Sequence, residues 1–487
     1  VKGLLPKPKL FRFFAKRKKD TVPENQLPKI HTKTLPGPKS LKLAETLRRY
    51  ECPQITYVGG AFPIFFSRSK GANLYDVDGN RYLDLSSCFA VSGIGHSDKA
   101  VAEAMWNQSR EMMHGMGDVH PNEVKVELAK KLAEITPGNL GQTIFSSTGS
   151  EAVETALKTA VVHTKKSGVI AFDGAYHGLG YGALQATHRQ DFKKPFEKQL
   201  GKHVRHAPFP DPRLYGSKAS ETAMKAVEKL YAAAKKGAHP VGAVLVEPIQ
   251  GRGGVRVPPA NFLKDLRAFC DANGVLLIAD EVLTGFGRTG AMFAVEKSSV
   301  VPDLLCLGKG MANGFPISAC VGTPRVMHSW GASTGDAVHT STYLGHPTGC
   351  AAALATIRRI EEGKLVERSR ALGEFFRREL HGLKTKHAVI GDVRGSGLMI
   401  GIELVEPLSS YAMKDKKSRR PVQALPATAK TRFVVEEALR NGIVLLGSGP
   451  DHNVLSLTPP FVITERDIAH CIGVFDRILK SASEKGV

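Results

Sequence analysis

Between residues 143 and 308 the chain carries five short apolar runs: TIFS, VIAF, AVLVEP, VLLIAD and DLLCLG. Runs this short and this continuously apolar are strands buried on both faces, because a half-wet strand would alternate apolar and polar residues. Helix-forming stretches lie between them at Glu151–Lys165, Glu221–Lys235 and Pro259–Asn273. Strands alternating with helices in this way predict the α/β class, a largely parallel sheet covered by helices on both faces. The carboxyl ends of parallel strands lie along one edge, and open α/β sheets bind their ligands there. Function is therefore expected in the residues just after each run.

Those positions are rich in reactive groups. VLLIAD ends on Asp280 and Glu281, and Leu304–Leu307 runs into Gly308, Lys309 and Gly310. AVLVEP carries Glu247, and AFDGAYHG places Tyr176 and His177 just past a strand end. After TIFS, the triplet Thr148-Gly149-Ser150 opens a helix whose first N–H groups and dipole suit a phosphate. Ser150 also makes a sufficient helix cap without any ligand. The spacing is not that of a nucleotide P-loop, and no convincing G-x-G-x-x-G follows the first strand, so a phosphate on something smaller than a dinucleotide is expected. A phosphate seat, an aromatic plate, an acid and an amine together suit pyridoxal phosphate. The amine forms a Schiff base with its aldehyde, and the carboxylate keeps its pyridine nitrogen protonated. Burial beside Leu304–Leu307 would favour the neutral, nucleophilic lysine.

LLIADEVLTGFGRTG followed by PDLLCLGKGMANGFPISA resembles the class III aminotransferases, pyridoxal phosphate enzymes of fold type I, and the likeness extends from about Leu41 to the C-terminus. The separation of 29 between Asp280 and Lys309 (309 − 280) agrees with that family's pattern. The resemblance implies a large domain with a mainly parallel sheet of the seven-stranded type, plus a smaller α+β domain. It implies Lys309 as the Schiff-base lysine and Asp280 as the partner of the pyridine nitrogen. Val282 and Tyr176 are expected on opposite ring faces with His177 adjacent, Thr148, Gly149 and Ser150 on the phosphate, and Glu247 near the cofactor. Thr342, in STYLGHPTGCAAA, matches a threonine that reaches the phosphate of a neighbouring subunit, which implies an obligate homodimer. Phe89 matches an apolar wall of the substrate pocket.

The implied reaction is transamination of an amino acid or ω-amine to an oxo acid, with a racemase or amine lyase on the same fold as the alternative. Members using 2-oxoglutarate carry an arginine after the Y/F-H-G triplet, a glutamate after QG and an arginine before the C-terminal PP. Here those positions are Leu179, Arg252 and Ser456, and Leu283 stands where several relatives have glutamine. Without its arginines the usual carboxylate clamp is gone. Arg252 is expected to take over from the opposite wall.

The remaining sequence sets the frame. Residues 1–40, rich in lysine and proline, predict a flexible basic arm. Residues 41–100 predict the first segment of the small domain, 101–347 the large domain and 348–487 the rest of the small domain, with loops or an insertion at 407–425. The turn Asp78-Gly79-Asn80 predicts a hairpin. The net charge of +21 would prompt a nucleic-acid reading. Much of the excess lies in the arm and in Lys414–Arg420, so no specific nucleic-acid partner is expected. Seven cysteines without a C-x-x-C pair exclude a disulfide framework or a cysteine-rich zinc site and suit a reducing cytoplasm. No apolar run reaches the roughly 18 residues of a membrane span, and no metal site is expected.

Overall fold

The computed structural model describes residues 25–406 and 425–484. Its centre is a seven-stranded sheet in the order Gln142–Ser146, Ser318–Gly322, Leu304–Leu307, Leu276–Asp280, Val241–Val246, Gly168–Phe172, Val204–Ala207. Ser318–Gly322 is antiparallel to both neighbours, and the other pairings are parallel. Successive side chains of a strand face opposite ways, and both faces here are dry. Leu276 and Ile278 pack with Ala152, Val153 and Ala156 of the helix Gly149–Thr164. Leu277 packs on the other side with Phe262 and Leu266 of the helix Phe262–Asn273. The five apolar runs all form strands of this sheet. Ser318–Gly322 and Val204–Ala207 add to them. The first is made of small residues, and the second is an edge strand with a single bulky apolar side chain, so neither has a strong pattern to read.

Two smaller sheets flank this body. The hairpin Asn73–Asp76 and Arg81–Asp84 turns as expected at Asp78-Gly79-Asn80, where Asp76 Oδ1 accepts the N–H groups of Asp78 and Asn80. Ile443–Val444 adds in parallel to Arg81–Asp84, which ties the N-terminal hairpin to the C-terminal part of the chain. An antiparallel sheet is formed by Ile390–Ser396, Met399–Glu406, Val454–Leu457 and Leu446–Ser448. Two long helices precede it in the chain, Pro347–Glu362 and Leu365–Lys386, separated where Lys364 takes a φ of +48°. The first of these packs on the helices Lys99–Glu111 and Glu123–Ile135 rather than within the C-terminal sheet.

One expectation needs correction. The flexible arm does not extend to residue 40. From Asn25 onward the chain lies on the hairpin: Gln26 N–H donates to Asn73 Oδ1 at 2.7 Å, Lys29 bridges Arg81, and His31 N–H donates to Asn80 Oδ1 at 2.7 Å. Asp78 accepts the N–H groups of Lys39 and Ser40 at the start of the helix Pro38–Tyr50. Side-chain amides that satisfy a passing backbone leave no periodic signal, so a proline- and lysine-rich stretch reads as loose when it is not. Residues 1–24, and 407–424 of the expected insertion, lie outside the described residues. Among the described residues no helix is long and apolar enough to cross a membrane.

Candidate active site

Five parallel strands bring their carboxyl ends to one edge of the sheet, and a cavity of about 380 Å³ opens there. Thr148, Gly149, Ser150, Tyr176, His177, Glu247, Arg252, Asp280, Val282 and Lys309 all line it. Local chemistry sets each of them. Thr148, not Ser150, caps the helix: its Oγ1 accepts from Glu151 N–H at 3.3 Å, and the Glu151 carboxylate accepts from the N–H groups of Ser147 and Thr148. That capping box leaves the N–H groups of Gly149 and Ser150 for a ligand's oxygens. Residue 149 must be glycine, since a Cβ would lie 2.6 Å from Val282 Cγ1.

Asp280 ends its strand buried. Its Oδ2 lies 2.7 Å from His177 Nδ1, and its Oδ1 accepts from Val282 N–H at 3.0 Å. His177 is in turn held through its own N–H, which donates to Thr187 Oγ1 at 2.9 Å, and its buried Nε2 has no partner. Lys309 follows Leu304–Leu307 with a φ of +43°, a conformation that L side chains adopt at a cost. Burial holds its amine below the ordinary lysine range; Asp280 and Glu247 pull it back up, and Arg252 pushes it further down. A neutral amine is the nucleophilic form.

Glu247 spends both oxygens on backbone. Oε1 accepts from Tyr176 N–H at 3.0 Å and Oε2 from Gly251 N–H at 2.9 Å, so this acid braces the aromatic plate and the Arg252 loop together. Burial raises its pKa, with Asp280 adding to the shift and His177 and the two N–H donors opposing it. Glu281, adjacent to Asp280 in sequence, turns away from the cavity. It accepts from Thr284 Oγ1 and from the N–H groups of Ala294 and Val295, and burial lifts its pKa to about 7 against those three bonds. Alternation along the strand separates the two carboxylates into a cavity acid and a brace.

A second cavity of about 330 Å³ meets the first at Tyr176, Arg252, Leu283 and Lys309. Its other walls are Ser86, Phe89, Ala90, Leu446–Ser448, Ser456 and Thr458. The Arg252 guanidinium carbon sits 4.7 Å from the Tyr176 ring centre, and Phe192 meets Tyr176 edge-on. Phe89 is on a wall of this second cavity. Leu179 is half exposed at the rim of the first cavity. Thr342 is exposed and is absent from the lining of either cavity of its own chain. Phe192, Thr187, Thr458 and the Leu446–Ser448 strand were not foreseen. Thr458 stands directly before the C-terminal PP, and the others reach the site only through the fold.

This donor set fits pyridoxal phosphate: free N–H groups at a helix start, a carboxylate oriented by a histidine, a lysine whose pKa burial lowers and a flat aromatic wall. The model of the class III aminotransferase family matches residues 57–479. The chain belongs to the class III aminotransferases. A 4-aminobutyrate aminotransferase of Mycobacterium leprae is 36% identical over 461 residues, 91% of this chain and 96% of that protein. A solved transaminase from Virgibacillus is similar with a TM-score of 0.83 and 27% identity, covering 92% of this chain and 100% of that one. A phospholyase from Arthrobacter, solved with phosphoethanolamine, is similar with a TM-score of 0.78 and 28% identity, covering 90% and 99%. As a class III aminotransferase the chain uses pyridoxal phosphate and catalyses transamination.

Proposed function

We propose that this aminotransferase works through Lys309, takes the carboxylate of its oxo acid on Arg252, and functions as a homodimer. When bound, pyridoxal phosphate supplies an aldehyde carbon that joins an amine and a protonated ring that accepts electron density from the substrate. The chain's own groups do the rest. Lys309 Nζ, whose pKa burial lowers, takes a proton from the reacting carbon of the amino donor and hands it on as a general acid. Asp280, oriented by His177, would face the ring nitrogen. Val282 and Tyr176 would hold the ring, and Thr148, Gly149 and Ser150 would receive the phosphate.

The observation that carries the substrate reading is that, among the described residues, Arg252 is the one arginine lining the two cavities. The described walls of the substrate cavity present no carboxylate, and Ser456 and Leu283 leave it no other fixed guanidinium. A carboxylated substrate therefore has one strong donor to find, beside Tyr176 and within reach of the amine. This favours oxo acids with a single carboxylate next to the reacting carbon. Thr342, exposed on its own chain, suits a place on the phosphate of a second copy. The seven unpaired cysteines support a reducing compartment, the cytoplasm.

Steady-state kinetics of Arg252→Ala with pyruvate and 2-oxoglutarate tests this. KM for each should rise with kcat little changed; an unchanged KM for every carboxylated substrate overturns the assignment. Appearance of the pyridoxamine phosphate spectrum on adding an amino donor separates transamination from the racemase or lyase alternative.

A further inference from the structure

Ser87, Cys88, Phe89 and Ala90 take φ values of +44°, +47°, +67° and +63°. L residues avoid this region because Cβ crowds the backbone; asparagine, aspartate and glycine visit it singly. None of the four is such a residue, and all four are consecutive. A left-handed turn of this kind persists only where its surroundings over-determine it, and such strain gathers at functional sites.

The surroundings here are specific. Asp84, fully buried, accepts from Ser86 N–H and Ser86 Oγ, both at 2.7 Å, and from Cys88 N–H at 3.2 Å. His96 Nε2 lies 2.7 Å from Asp84 Oδ2 and fixes the carboxylate from behind. On the far side Ser87 Oγ donates to Thr458 O at 2.6 Å, Thr458 Oγ1 donates to Ser86 O at 2.9 Å, and the buried Arg288 donates to Ser87 Oγ at 3.4 Å. What the turn projects is Phe89, 63% exposed, into the wall of the substrate cavity that also holds Arg252 and Lys309. Asp84, Cys88 and His96 are also close enough to gather a cation. The carboxylate, however, already has four protein groups on it, so the cluster serves the turn.

We infer that Asp84, held by His96, is a positioning residue: it keeps Ser87–Ala90 left-handed so that Phe89 faces the substrate, and it thereby sets which side chains the enzyme accepts. The inference rests on the substrate cavity assigned above. It predicts a cost of Asp84 removal that falls on bulky donors and that glycine can repair, because glycine adopts the same backbone without help.

The test uses the holoenzyme, with kcat and KM measured for a small and for an aromatic amino donor against one oxo acid. Asp84→Asn should raise KM for the aromatic donor about tenfold, the size of effect expected from a reshaped apolar pocket. Its kcat with the small donor should stay within about twofold. Cys88→Gly alone should change little, and Asp84→Asn combined with Cys88→Gly should recover most of the aromatic donor's KM. Equal losses for both donors, or no recovery by glycine, overturn the inference. Should Asp84→Asn not fold, His96→Gln takes its place in the same series with the same two readings. The cofactor absorbance of every variant, expected unchanged, separates this result from a failure of the Lys309 assignment, which would remove that absorbance.

Discussion

The two cavities that meet at Lys309 are built in opposite ways. The cofactor cavity takes its groups from the ends of neighbouring parallel strands and the turns just after them. Each group lies within a few residues of an apolar run, and sheet order alone brings them together. The second cavity takes its walls from Ser86–Ala90 and Gly251–Arg252, which lie outside the strands, and from Leu446–Ser448 and Ser456–Thr458, in or next to strands of the C-terminal sheet, stretches mostly remote in sequence. Chemistry common to a family can rest on the first kind of architecture, because a strand end is fixed by the core behind it. Selectivity rests on the second kind, where one residue can change without unseating the sheet. Arg252, proposed as the carboxylate donor, and Ser456 both line this second cavity.

That division is open to attack by substitution. The largest effect is expected for Lys309→Ala, which should lower kcat about 10³-fold or more for every substrate alike. Borohydride treatment of the variant should then attach no cofactor to the chain. Next comes Asp280→Asn, which replaces the carboxylate proposed to face the ring and loosens its contact with His177. A fall in kcat of about 10²-fold, again irrespective of donor, is expected in steady-state assays.

Arg252→Ala should behave differently. Loss of a charge-assisted hydrogen bond costs on the order of 2 kcal/mol, so KM for oxo acids should rise about thirtyfold while kcat holds. If this variant instead lowered kcat equally for all substrates, the separation of cofactor and substrate cavities would fail.

The smallest effect belongs to Glu281 and concerns stability. Its proton leaves the unfolded chain near pH 4.5 but stays in the fold up to about pH 7, so folding takes up a proton between these limits. The contribution to stability is therefore full below the lower value and is lost as pH rises through the upper one, on the order of 3 kcal/mol in all. Thermal unfolding between pH 5 and 8 should show that loss, and Glu281→Gln should flatten the slope while leaving kcat largely intact. A slope unchanged by the substitution would show that this acid is ionised throughout.

Much of the cofactor cavity was legible from residues alone. Asp280, Lys309, Glu247, Tyr176, His177 and Thr148–Ser150 each follow an apolar run, and parallel strands can only deliver their ends to one edge. Even there, roles needed coordinates: Glu247 braces two loops, Thr148 rather than Ser150 is the cap, and Glu281 faces away from its neighbour Asp280. The tie between Asn25–Ser40 and the hairpin was not legible, because amide side chains such as Asn73 and Asn80 bond to whatever backbone passes. Nor was the left-handed turn at Ser87–Ala90, where no glycine marks the conformation.

The apolar runs by themselves determined five of the seven strands, their layers and the edge that holds the reactive groups, because burying apolar strands on both faces leaves few other arrangements. Only tertiary structure decided what surrounds the substrate. Those walls are made by side chains hundreds of residues apart, and their contacts depend on backbone angles and packing that a pattern of apolar residues does not encode.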